Sequence, residues 1–74
     1  MELTIWLTPE DLQAGEDPEI FQGGSLDELK QDLLEEWLDE VIEEGDEIHQ
    51  DILLATDLAS LIDTLTFHGF YTAH

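Results

Sequence analysis

The sequence predicts a small α+β fold, mainly helical, built as a single domain over residues 1–74. Three observations predict it. An alternating apolar segment opens the chain, a capping box at Ser25 introduces a long run of helical apolar spacing, and a further run of the same period continues to Gly69. The expected architecture is one long acidic amphipathic helix, shorter helices around it and a small terminal β-sheet. A chain of 74 residues leaves no room for a second domain. With no cysteine there is neither a disulfide nor a thiolate metal site to hold it, so the apolar core must suffice.

Glu2 to Leu7 alternates, placing Leu3, Ile5 and Leu7 on one face of a short strand. Thr8-Pro9-Glu10-Asp11 then starts a brief helix, with Thr8 as N-cap, Pro9 at the first helical position and acids in the first turn. Ala14-Gly15-Glu16-Asp17-Pro18 ends that helix, and residues 15–24 read as a connecting loop pinned to the core by Ile20 and Phe21. Ser25-Leu26-Asp27-Glu28 is the capping box, and Leu26, Leu29, Leu33, Leu34, Trp37, Leu38, Val41 and Ile42 continue at helical spacing until Gly45. This predicts the main helix over 26–44. Asp46 caps a further helical segment through Ile48, Ile52 and Ala55, with a restart at Thr56-Asp57. The run Ile52-Leu53-Leu54-Ala55 also permits a strand over 48–55, because periodicity alone does not separate the two. Gly69 closes the last helix, and Phe70-Tyr71-Thr72 is expected to pair with the first strand.

Charge is the most informative quantity. Twenty Asp and Glu face one cation, Lys30, for a formal charge of −19. Such a surplus destabilises a compact chain by self-repulsion and far exceeds the magnitude of about 2–8 that solubility recommends. It also disfavours direct contact with nucleic acid or anionic lipid, which need Lys and Arg to displace counterions. The partner it implies is a basic protein surface. No basic leader and no apolar run of about 18 residues is present, so the expected address is the cytoplasm.

At about 100° per residue, Glu28, Asp32, Glu35, Glu36, Asp39, Glu40 and Glu43 fall within about 140° of the predicted helix, opposite Trp37. Glu44, Asp46 and Glu47 extend this acidic face, with Asp51 and Asp57 beyond it. Lys30 projects among the apolar positions, where it can snorkel and meet Asp27 three residues back. Nine acids from Asp27 to Glu44 over about 27 Å give roughly one carboxylate per 3 Å, close to the phosphate spacing of about 3.4 Å along one DNA strand. A solvated helix face ordinarily mixes signs for i,i+4 pairing, and this one forgoes every such pair.

In its size, its lack of Arg and the stretch LDELKQDLLEEWLDEVIEEGDE, the chain resembles the small acidic DNA-mimic proteins of phages and mobile elements. Among these are anti-CRISPR proteins that block target-DNA or PAM recognition by a Cas complex. The resemblance implies an inhibitor whose carboxylates pair with the Lys and Arg of a DNA-binding groove. Gly23-Gly24-Ser25-Leu26-Asp27 and the acidic helix after it are also similar to acyl and peptidyl carrier proteins, a resemblance that would make Ser25 a phosphopantetheine site. Two departures stand against it: Gly24 occupies the place of the carriers' Asp, and a strand-like segment with Pro9 replaces their first helix.

Other chemistry finds little support. His49, His68 and His74 are too widely spaced for a zinc motif, and no Cys can join them. Glu43-Glu44-Gly45-Asp46-Glu47 is rich in oxygen but lacks the ligand order of an EF-hand. There is no nucleophile elbow, no phosphate-binding loop and no Arg to stabilise an oxyanion. The expectation is a protein without catalytic activity and without a cofactor.

Overall fold

A computed structural model describes residues 1–73. Elements follow in the order β1 (Glu2–Trp6), α1 (Pro9–Gln13), β2 (Glu19–Gln22), α2 (Leu26–Trp37), α3 (Glu47–Leu54), α4 (Leu58–Phe67) and β3 (Tyr71–Ala73). They form an α+β protein with a three-stranded antiparallel sheet in the order β2-β1-β3. The central strand is therefore the first one, paired with β2 through Leu3 opposite Phe21 and with β3 through Trp6 opposite Tyr71.

Side chains alternate across a strand, so the pairing fixes two faces. Leu3, Ile5 and Phe21 point into the core, where they meet Leu29, Leu33 and Trp37 of α2, Ile48 and Ile52 of α3, and Leu61 and Leu65 of α4. Trp37 is the hub: its ring stands edge-on to Phe21 and tilted against Phe70, each with centroids 5.2 Å apart. The opposite sheet face carries Thr4, Trp6, Ile20 and Tyr71, with Trp6 and Tyr71 in an edge contact at 5.7 Å.

Each helix begins as the sequence predicts. Thr8, Ser25 and Asp57 accept hydrogen bonds from the backbone N–H groups of Asp11, Glu28 and Ser60, and Asp46 accepts from Glu47. The backbone N–H of Ser60, helped by the Ser60 side chain, holds the Asp57 carboxyl below the usual aspartate range. That contribution to stability is complete at neutral pH and is lost only as the pH falls through the lowered value. Residues 47–54 are helix, which decides between the two readings of this run, and the restart after Thr56-Asp57 is present.

Three expectations are corrected. Residues 19–22 are not loop but the edge strand β2, in which Phe21 is buried and Ile20, expected in the core, lies 55% exposed on the outer face. Leu7 is likewise exposed, because β1 ends at Trp6. The main helix stops at Trp37 instead of running to 44. Leu38 turns extended, Asp39 adopts φ +67°, and the Trp37 carbonyl accepts the N–H groups of Val41 and Ile42 at 2.8 and 3.0 Å. The turn carries Ile42 into the core and leaves Val41 outside, the reverse of what a continued helix would favour after Leu33 and Trp37. A helix running to 44 would also gather Asp39, Glu40, Glu43 and Glu44 at its negative end, where the macrodipole opposes them.

Gly23 marks the close approach of β2 to α2. Its N–H donates to the Met1 carbonyl at 2.9 Å, and a Cβ there would overlap the backbone nitrogen of Leu29 and stand 2.7 Å from the Glu28 carbonyl carbon. Gly15, at φ +76°, faces open space. Gly23→Ala is expected to cost about 2–3 kcal/mol through overpacking, and Gly15→Ala only about 1 kcal/mol of left-handed backbone strain. Urea unfolding of the two variants checks the order.

Candidate protein-binding surface

Leu29, Leu33 and Trp37 set the roll of α2 by facing the sheet, which leaves Glu28, Asp32, Glu35 and Glu36 within about 100° on its outer side. Glu28 closes the capping box one residue early, its Oε2 accepting the Gly24 N–H at 2.8 Å. Asp32 is half-buried because its Oδ2 accepts the Gln22 N–H at 3.1 Å and ties the helix to β2. Glu35 and Glu36 are exposed.

The remaining candidates leave the helix. Asp39, Glu40, Glu43 and Glu44 lie on the turn between α2 and α3, and Asp46 and Glu47 open α3; all six are exposed. This segment is held by its own polar contacts. The Gly45 N–H donates to His49 Nδ1 at 2.9 Å, and Gln50 Nε2 donates to the Gly45 carbonyl at 3.1 Å. The expected rod of about 27 Å is thus replaced by two parts, a helix of about 18 Å and a tied acidic turn. On α2 itself five acids remain, about one per 3.6 Å of axis.

Lys30 does not meet Asp27. It is 8% exposed, and its Nζ donates to the carbonyls of Leu53 and Ala55 at the C-terminal end of α3. A cation there satisfies carbonyls that the helix leaves open and complements its dipole. The single lysine is therefore placed on backbone oxygen inside the fold rather than on a carboxylate outside it. Among the described residues the one side-chain contact between a basic group and a carboxylate is His68 Nε2 with Asp51 Oδ2, a hydrogen bond of 3.1 Å that is an ion pair only when the imidazole is protonated.

Sequence reasoning missed a second acidic region. Asp11, Glu16, Asp17 and Glu19 line a hollow of about 160 Å³ beside Trp6, whose Nε1 donates to the Glu16 carbonyl at 3.1 Å. The run Gly15-Glu16-Asp17-Pro18-Glu19 signals it, once β2 is known to bring Glu19 opposite Ile5. Ser25, singled out by the carrier resemblance, has its hydroxyl engaged by the Glu28 N–H at 3.3 Å. The residues before it form β1, α1 and β2 in place of a carrier's first helix. Among the described residues no group of three or more His, Asp or Glu is arranged to hold a metal ion, and His74 lies outside them. Among the described residues no helix is long and apolar enough to cross a membrane.

Comparison with known proteins yields no family model, curated protein or solved structure that matches the chain.

Two outcomes follow for stability. Lys30→Met should lower it by about 1–3 kcal/mol, since the Leu53 and Ala55 carbonyls lose their donor and the bond to Ala55 is buried; urea denaturation reads this directly. Raising NaCl from about 0.01 to about 1 M, which shortens the Debye length from about 30 to about 3 Å, should raise the melting temperature by screening repulsion among unpaired carboxylates. A fold held by surface ion pairs would respond in the opposite sense.

Proposed function

We propose that the chain is a non-catalytic inhibitor that mimics DNA, occupying the basic groove where a protein partner receives nucleic acid. The observation that carries this reading is charge per length. A formal charge of −19 in a body 31 Å long is about one charge per 1.6 Å, and duplex DNA carries one per about 1.7 Å of axis. With Lys30, the only Lys or Arg in the chain, directed onto backbone carbonyls inside the fold, neither residue type offsets that charge at the surface.

The target class this reading favours is a Cas effector, with inhibition of target-DNA or PAM recognition in the manner of the DNA-mimicking anti-CRISPR proteins. Other DNA-binding defence proteins share the same groove chemistry. The chain acts in the bacterial cytoplasm, that of the host if it is phage-encoded, and touches neither DNA nor membrane. Glu28, Asp32, Glu35, Glu36, Asp39, Glu40, Glu43, Glu44, Asp46 and Glu47 carry binding collectively. Carboxylates take the places of phosphates, and both partners release counterions.

Collective binding has a measurable signature. Glu35→Ala should weaken binding by no more than about fivefold, because an exposed ion pair contributes about 0.2–1 kcal/mol. Reversing Glu35, Glu36, Glu40 and Glu43 to Lys together should abolish capture of the partner from a phage-infected bacterial lysate. Affinity for the captured protein should also fall about tenfold or more between about 50 and about 200 mM salt. Capture that survives the fourfold reversal would remove these residues from the function.

A further inference from the structure

Between α2 and the end of α3 lies an open notch of about 380 Å³, walled by Leu34, Leu38 and Leu53, with Lys30 also lining it. Of its apolar walls Leu53 is 55% exposed, while Leu34 and Leu38 are half-buried, packed on one side against the core. Lys30 leaves no ammonium directed at an incoming cation, because its Nζ is engaged by the Leu53 and Ala55 carbonyls. Asp27 and Glu35 also line the notch. Eight residues apart on one helix, they are separated by about 12 Å along its axis.

We infer that this notch is the anchoring point of the partner, and that it takes one large apolar side chain from a basic amphipathic helix. The geometry specifies the pattern. A helix with the same rise places cations at i−4 and i+4 about 12 Å apart, with an apolar residue at i between them, so the order cation-x3-apolar-x3-cation matches Asp27, notch and Glu35. Charge complementarity selects the occupant. A second copy of this chain would bring another −19 to the contact, whereas a helix rich in Lys or Arg is attracted before the apolar side chain engages. The inference rests on the acidic surface acting as a protein-binding surface and adds to it the residue class that fixes register. Phosphate mimicry alone supplies attraction without a defined position, and a desolvated apolar anchor supplies the position.

Two synthetic alanine-based helices test it, one carrying Lys-x3-Leu-x3-Lys and one with the central Leu replaced by Ser at the same charge. Binding to the whole chain is measured by fluorescence anisotropy at about 50 mM salt. The Leu peptide should bind about fivefold or more tightly than the Ser peptide, in line with partial burial of one leucine side chain. Leu53→Ser, at an exposed position outside the core cluster, should erase that difference, while Ile20→Ser on the outer sheet face should preserve it. Equal affinities for the two peptides would overturn the notch and leave the acidic surface standing. Loss of the difference in Ile20→Ser but not in Leu53→Ser would move the anchor to the sheet and overturn the assignment. Absence of binding by both peptides would overturn the acidic surface and the notch together.

Discussion

Where this protein puts its one lysine governs the rest of its surface. Twenty carboxylates repel one another on a body of 31 × 25 × 19 Å, and the only Lys or Arg side chain is directed inward onto the carbonyls that end α3. There it joins α2 to α3 and removes two backbone acceptors from a poorly hydrated place. With no Lys or Arg left to pair on the surface, the fold relies chiefly on apolar burial against its own field. That is in keeping with the commitment of Trp37, Phe21 and Phe70 to two aromatic contacts that share Trp37, and of Leu and Ile from every helix except α1 to one cluster.

Much of this architecture is legible in the residues. Caps are local chemistry, so Thr8, Ser25, Asp46 and Asp57 mark the four helix starts without knowledge of the fold. Helical spacing likewise identifies Leu29, Leu33 and Trp37 as the core side of α2. What the residues conceal is non-local. β2 is four residues long, and only its pairing with the central strand makes Glu19–Gln22 a strand instead of a loop. The end of α2 is hidden for a related reason. Trp37, Leu38, Val41 and Ile42 keep a helical period, yet the core accepts Ile42 and not Val41, and Asp39 adopts the left-handed conformation that this exchange requires. The crowding of acids at the C-terminal end of the expected helix is the one local sign against its continuation.

The candidate surface was legible in composition and only partly in arrangement. Its ten acids are where the sequence places them along the chain, and all but Asp32 are exposed. Their support differs: four stand on a helix, and six lie on a turn and helix start held through Gly45, His49 and Gln50. A bent display of this kind departs from a straight rod. A groove shaped for a curved, two-stranded polyanion need not prefer the rod, and a negative field of this strength also steers encounter with basic partners before any contact is made. The acids around Trp6 widen the negative surface beyond α2 and the turn that follows it.

The central claim is that chain and nucleic acid occupy the same site on the partner. The measurement that meets it most directly is a competition, in which a labelled duplex bound to the captured partner is titrated with the chain and followed by anisotropy and by native mass spectrometry. The account predicts that one equivalent releases the duplex and that no species contains all three components. A stable complex of partner, duplex and chain would contradict it.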